Sequence, residues 1–267
     1  MSDNQVKFIA ADMDGTLLNE HGQLDPEFFD VFSKLEQKGI IFAAASGRQY
    51  YSLLDTFDAI KDRMMFVAEN GTFVIHKGEE LYSNPIDKPS VIAIIKEARK
   101  IPNAHIVLCG KRSAYIETQD QKANTEVQNY YHRCELVDDL LNVDDEFIKI
   151  ALCHFEGTEE HVFPAINQQF GETHKVVVSA KIWLDVMDAS ASKGAAIKEL
   201  QKRLGFSYEQ TMSFGDYFND VEMLEQSYHS YAVENAHPGV KQYARFRAPS
   251  NKESGVIQVL KQLIDAS

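Results

Sequence analysis

Val6-Lys-Phe-Ile-Ala-Ala-Asp12-Met-Asp-Gly-Thr16 is the stretch that decides the architecture. A short apolar run stops on an aspartate and gives way to Asp-Gly, residue types that favour turns. The spacing predicts a buried strand over 6–11 and a tight turn after it. The pattern recurs. Residues 40–45 run into Ser46-Gly-Arg48, residues 65–68 into Glu69-Asn-Gly71, and Thr211-Met-Ser-Phe214 into Gly215-Asp216. Helical stretches lie between these runs. Asp25-Pro-Glu27 is the expected start of one, with Asp25 as N-cap, Pro26 at the first position and Gly39 closing it. Others are expected over 192–204 and 255–264. Further short strands are expected over 72–75, 81–83, 228–233 and 246–248, with a turn at Lys77-Gly78. Apolar strands alternating with helices predict an α/β fold, a Rossmann-like doubly wound parallel sheet.

The pattern changes near Asn84-Pro85. From Pro89 to about Asp188 the elements read helix, strand, strand, helix, strand, helix, strand, strand, with strands over 147–154 and 182–186. Residues 85–189 are therefore expected as an inserted α+β domain, and 1–84 with 190–267 as the core that receives it. No repeat or low-complexity segment interrupts either.

The 267 residues include 44% hydrophobic and 25% charged side chains, ordinary for a soluble globular protein, with a formal net charge of -13. So acidic a chain repels nucleic-acid backbones and anionic membranes, and neither is an expected partner. The stretch from Met1 to Lys7 has no apolar region of the signal-peptide kind. Cys109, Cys134 and Cys153 form no C-x-x-C pair, which fits a reducing, cytoplasmic setting with plain buried thiols.

Three expected core strands end in reactive side chains: Asp12 and Asp14, then Ser46, then Asp216. In an open α/β sheet ligands bind at the carboxyl ends of the strands. In extended chain, residues two apart face the same way, so Asp12 and Asp14 can share a site. At 4 Å and an effective dielectric of ~20 their charges repel by about 4 kcal/mol. No arginine or lysine follows in the turn, so a divalent cation is the economical counter-charge, and oxygen ligands select Mg2+. An Asp-rich turn that merely caps the strand is the plainer alternative. Ser46-Gly47, read as the start of a helix, supplies a hydroxyl and a free N–H for an anion, or a simple N-cap. Lys193 in the first turn of a helix has the wrong sign for the macrodipole; it either faces an anion or is solvated. Gly215-Asp-Tyr-Phe-Asn-Asp220 puts two carboxylates and an amide on one turn: Asp216 can ligate a metal, Asp220 can orient its water, and Asn219 can bond an oxyanion.

Taken together, Asp12-Met-Asp-Gly-Thr-Leu-Leu18, Ser46-Gly-Arg48, Lys193-Gly194 and Gly215-Asp-Tyr-Phe-Asn-Asp220 resemble the four motifs of the haloacid dehalogenase superfamily. Within it the chain is similar to the Cof-type phosphatases that carry a C2B cap. Glu69-Asn-Gly71, Glu234-Asn-Ala-His-Pro238 and Ser250-Asn-Lys-Glu-Ser-Gly255 strengthen the resemblance. It implies a phosphoric monoester hydrolase acting on a small phosphorylated metabolite through an aspartyl-phosphate, with Mg2+ as cofactor. Asp12 would be nucleophile and metal ligand. Asp14 would be general acid and base and lend its carbonyl to the metal. Ser46, Gly47, Lys193 and Asn219 would hold the phosphoryl group. Asp216 would complete the ligands, with Asp220 behind it in the metal-binding set. Tyr217, Phe218 and Glu234 depart from the family pattern and bear on the shape of the site mouth. Lys149, Lys181 and Trp183, in or beside expected strands of the insertion, are either leaving-group contacts or ordinary core and surface positions. The alternatives are a phosphomutase of the same superfamily and a non-catalytic phosphate-binding or receiver-like signalling protein. The large insertion and the Asp-x-Asp pair favour hydrolysis, and turnover of a phosphate ester separates the enzyme from the binding protein.

Overall fold

The structure, a computed structural model, describes residues 5–266; most of the Met1 to Lys7 stretch lies outside them. Strand β1 (Phe8–Asp12) is buried throughout and ends on the aspartate. The chain then coils over Met13–Leu17, with Gly15 at φ 80. Helix α1 (Phe28–Gln37) starts two residues after the expected Pro26. The Asp25 side chain accepts from Glu27 N at 2.9 Å, but residues 26 and 27 form a turn ahead of the helix. Then follow β2 (Ile41–Ala45), α2 (Tyr50–Thr56), β3 (Met65–Ala68), β4 (Phe73–His76) and β5 (Glu79–Ser83). Lys77 and Gly78, at φ 53 and 81, make the β4–β5 hairpin turn.

The inserted stretch runs α3 (Lys88–Ala98), β6 (His105–Gly110), β7 (Ala114–Ile116), α4 (Gln121–Tyr130), β8 (Cys134–Leu136), β9 (Phe147–Cys153), α5 (Thr158–His161), α6 (Phe163–Phe170), β10 (His174–Ala180) and β11 (Trp183–Asp188). The sequence reading lacks β8, a three-residue strand, Cys134-Glu-Leu136, too short to show a period. The chain returns through α7 (Lys193–Leu204), β12 (Thr211–Gly215), α8 (Val221–Glu225), β13 (His229–Val233), α9 (Pro238–Lys241), β14 (Phe246–Ala248) and α10 (Gly255–Ala266).

Two compact units result. The first comprises the chain through Gly47, Leu53–Tyr82, and Ser192 onward. Its sheet has the order β14-β13-β12-β1-β2-β3-β4-β5, parallel from β14 to β3, with β4 antiparallel to β3. Side chains alternate across it. Phe8, Ala10, Ala43 and Val67 pack with Ile197 and Leu200 of α7 and Met223 of α8. On the opposite face Phe42 meets Phe28 of α1 at 5.0 Å between ring centroids. Helices on both faces make this the doubly wound mixed α/β architecture that the sequence predicts. The order proceeds outward from β1 in both directions, so the topological switch point lies between β1 and β12.

The second unit comprises Arg48–Ser52 and Ser83–Ala191. Its sheet has the order β10-β11-β9-β6-β7-β8. Val91, Ile94 and Ile95 of α3 and Ile166 of α6 pack with Ile106, Ile150, Leu152 and Leu184 from the strands. Arg48–Ser52, which the sequence reading leaves in the core, packs with this unit for a visible reason. Gln49 bonds both backbone groups of Arg133, donating to its O at 2.8 Å and accepting from its N at 3.0 Å, and Ser52 Oγ donates to Tyr130 O at 2.9 Å.

Candidate functional site

Asp12 ends β1, and Asp216 follows the neighbouring parallel strand β12, where Ala11 is paired with Phe214. Parallel register thus brings two aspartates from opposite ends of the sequence to one sheet edge at the switch point. Asp220 arrives from the short turn of helix over Phe218–Asp220. Among the described residues, one carboxylate oxygen from each of Asp12, Asp216 and Asp220 lies within 4.8 Å of the others.

Lys193 opens α7, whose N-cap Ser192 accepts from Ala195 N at 3.0 Å. Its side chain is completely buried. The ammonium donates to Asp12 Oδ1 at 2.5 Å and to Asp220 Oδ1 at 2.7 Å. The misplaced sign at the helix start is thereby explained, and the solvated-lysine alternative is excluded. The other Asp220 oxygen accepts from the N–H groups of Asp216 and Tyr217 at 3.0 and 3.2 Å. Both Asp220 oxygens thus accept hydrogen bonds within the cluster. Asp216 Oδ1 accepts from Thr16 Oγ1 at 3.0 Å.

Three carboxylates share one ammonium, and their protonation reflects the surplus. Burial, then repulsion from Asp220, holds the Asp12 carboxyl well above the usual carboxylate range, against the pull of Lys193. Burial, again followed by Asp220, pushes Asp216 up to about 6. Burial alone would discharge Lys193, but attraction to Asp12 and then Asp220 outweighs it, and the net direction is upward. The lysine is therefore cationic, and the excess negative charge rests on the aspartates. An oxygen-only donor set with such a surplus fits a small hard divalent cation.

Asp14 stands outside this cluster. It is exposed and lies in the coil over Met13–Leu17, after the strand has ended on Asp12. Ser46 is one residue beyond Ala45, which is paired with Asp12 across β1 and β2. It is buried, its N–H donates to Val67 O and its carbonyl accepts from Asn70 N, both at 2.9 Å. Helix α2 begins only at Tyr50, so Ser46-Gly47 precedes the helix and does not open it as the sequence suggests. Gly47 lies against Asn70: a Cβ there would sit 3.1 Å from its amide. Asn219 Nδ2 in turn donates to Asn70 Oδ1 at 3.3 Å, so Gly47, Asn70 and Asn219 are neighbours.

Sequence reasoning assigned no role to Thr16, Asn70, Asn235 or Asn251, although each falls in a quoted motif. Asn235 Nδ2 donates to Gly15 O at 2.7 Å and Asn251 Nδ2 to Leu18 O at 2.9 Å, while Asn235 Oδ1 accepts from Asn251 N at 2.9 Å. Two distant loops thus brace the coil after Asp12. Gly15 itself admits no side chain, since a Cβ would lie 2.5 Å from Asp216 Oδ2. Tyr217 and Phe218 are 56% and 50% exposed and both contact the His237 ring. Of the three insertion residues, Lys149 is buried over the Tyr131 ring, and Trp183 is buried with Nε1 donating to Glu126 Oε1 at 3.2 Å. Lys181 is exposed in the β10–β11 turn.

The family model described as haloacid dehalogenase-like hydrolase matches residues 9–260. The chain belongs to the haloacid dehalogenase-like hydrolases. It is 33% identical over 261 residues to the 5-amino-6-(5-phospho-D-ribitylamino)uracil phosphatase YbjI of Escherichia coli, covering 97% of this chain and 96% of that one. A solved protein of Streptococcus mutans, SMU.1108c, superposes with a TM-score of 0.86 at 31% identity, covering 98% of this chain and 100% of the other. One from Eubacterium rectale gives a TM-score of 0.89 at 30% identity, covering 96% and 98%. Curated relatives of this hydrolase are named phosphatases, and it is a phosphatase of the family, a phosphoric monoester hydrolase. Among the described residues no helix of this hydrolase is long and apolar enough to cross a membrane.

Proposed function

We propose that this phosphatase hydrolyses a small organic phosphate monoester with Mg2+ as its cation, through a phosphoaspartate on Asp12. The observation that carries the reading is the clustering of Asp12, Asp216 and Asp220 at the switch point of the sheet, with the buried ammonium of Lys193 bonded to Asp12 and Asp220. The carboxylates of Asp12 and Asp216, with the Asp14 carbonyl, would hold Mg2+, and Asp220 supports them from behind. When bound, the ion supplies the positive charge that lets a phosphate dianion approach the aspartates.

An Asp12 carboxylate oxygen attacks phosphorus, and the ester P–O bond breaks. The Asp14 carboxylic acid gives its proton to the departing oxygen. Asp14, now a carboxylate and exposed to solvent, takes a proton from water. That water's oxygen attacks the phosphoaspartate, returning the Asp12 carboxylate and inorganic phosphate. Lys193 offsets charge on the phosphoryl oxygens, and Ser46, Gly47 and Asn219 hold them. Residues 1–84 and 190–267 act as the catalytic core. The insertion, 85–189, acts as a cap that selects the leaving group.

Within this class we favour a phosphorylated polyol that bears a heterocycle. YbjI, with YitU and YcsE of Bacillus subtilis at 27% and 22% identity, is named for 5-amino-6-(5-phospho-D-ribitylamino)uracil. The exposed rings of Tyr217 and Phe218, next in sequence to Asp216, suit a planar group. The test is hydrolysis of that compound beside sugar phosphates, nucleotides, pyridoxal phosphate and flavin mononucleotide, with Mg2+ or excess chelator. Activity should vanish on chelation and return with Mg2+. Full turnover in chelator would refute the metal assignment, and preference for a simple sugar phosphate would refute the substrate.

A further inference from the structure

We infer that His154, Glu156 and His161 of the second unit form a binding site for a zinc-type divalent transition-metal ion. His154 is the first residue after β9, and its backbone is fixed: its N–H donates to Ile182 O and its carbonyl accepts from Gly157 N, both at 3.0 Å. Thr158 N donates to Lys181 O at 3.0 Å and opens α5, which ends on His161. The three residues therefore sit on one short, pinned stretch of chain.

The decisive group is the His154 imidazole, only 3% exposed. Its Nε2 lies 3.1 Å from the carbonyl oxygen of Pro102. A carbonyl only accepts, so Nε2 carries the proton, and in the neutral ring Nδ1 is a bare lone pair. That Nδ1 is buried and has no hydrogen-bond partner. A histidine whose one nitrogen is held by a backbone carbonyl, leaving the other bare, has the orientation of a metal ligand. A donor atom from each of His154, Glu156 and His161 lies within 4.8 Å of the others.

Donor atoms around a tetrahedral zinc ion lie about 3.3 Å apart, so no pair in the cluster must close by more than about 1.5 Å. The two outer members can supply this. Their side chains are 42% exposed for His161 and 71% for Glu156, and they stand 4.0 Å apart with no tight bond between them. The His161 ring is stacked on His154 at 4.7 Å between centroids, and to aim a nitrogen inward it must turn out of that stack. Two imidazoles and one carboxylate favour zinc, cobalt or nickel over Mg2+, the reverse of the all-oxygen cluster on the first unit. Three protein donors leave a fourth position for water or an anion. A bound ion would fasten the end of β9 to α5.

The test uses the whole protein with Co2+ as probe, in excess Mg2+ to keep the first-unit carboxylates occupied. One equivalent of Co2+ should bind, with visible absorption bands that Zn2+ abolishes. His161→Ala and Glu156→Gln, both at exposed positions, should each weaken binding by about tenfold to a hundredfold. Asp216→Asn should leave it unchanged. Absence of Co2+ binding under these conditions overturns the inference. So does equal affinity in the His161→Ala/Glu156→Gln double variant, or loss of the bands on Asp216→Asn, which would assign the ion to the acidic cluster.

Discussion

Replacing Lys193 with methionine tests the electrostatic core of the site. Methionine fills much the same volume without charge, which matters where the side chain is fully buried. The lysine bonds Asp12 at 2.5 Å and Asp220 at 2.7 Å. Removing one partner of a buried ion pair costs about 3–5 kcal/mol, because the remaining charges lose their compensation. The carboxylates escape part of that cost by taking up protons, and at 1.36 kcal/mol per tenfold the same energy lowers their ionised fraction by about 10²–10⁴. Asp12 attacks phosphorus only when ionised, so kcat/KM near neutral pH should fall by about that factor, with the acid limb of the pH–rate profile moved to higher pH. The assay is kcat/KM for p-nitrophenyl phosphate from pH 5 to 9 at saturating Mg2+, with circular dichroism to establish that the variant is folded. A folded Lys193→Met enzyme within tenfold of wild type, with an unmoved acid limb, would show that the lysine does not set the charge state of the nucleophile.

Asp12→Asn should leave no acid-stable phosphoenzyme and no turnover, whereas Asp14→Asn should still form one while kcat drops about 10²–10⁴-fold; wild-type rate in the first variant would end the double-displacement mechanism. In chelator, Asp216 is raised to about 6 in the folded protein, above its unfolded value near 4, so the folded state takes up the proton first. Its contribution to stability is complete below pH ~4 and is lost as pH rises through ~6. The melting temperature of wild type minus that of Asp216→Asn should therefore decline between pH 4 and 7, and a flat difference would refute the assignment.

Much of this was legible because the core strands are buried on both faces and read as apolar runs that stop on polar residues. The strand over Met65–Ala68, buried throughout and followed by Glu69, falls where the sequence puts it. Asp12 and Asp216 could be gathered from one rule, that strands of a parallel sheet share an end, and Asp220 from the polar turn that follows Asp216. What stayed hidden depends on backbone detail finer than periodicity. Met13–Leu17 coils instead of continuing the strand, and the residues between Ser46 and Tyr50 belong to neither strand nor helix. Thr16 and the bracing asparagines act through single hydrogen bonds between residues up to 233 apart in sequence, which no local pattern encodes. The spacing His-x-Glu-x-x-x-x-His in 154–161 was visible all along. Its meaning required knowing which imidazole nitrogen is buried and bare.

The two ends of the inserted unit are tied to each other. Asn84 Nδ2 donates to Ser190 Oγ at 3.0 Å, and Ser190 N and Oγ both donate to Asp188 Oδ1, at 2.9 and 2.6 Å. An excursion of roughly a hundred unfolded residues would burden the host sheet with a closure entropy of about 4 kcal/mol, since the penalty grows as the logarithm of loop length. Once the insert has folded and fastened its own entry to its exit, the host meets only a short, prejoined bridge. Each unit's folding then lightens the other's, and the insert can be lengthened or exchanged at little cost to the sheet that carries the aspartates. A chain built this way can diversify one half under selection while conserving the other.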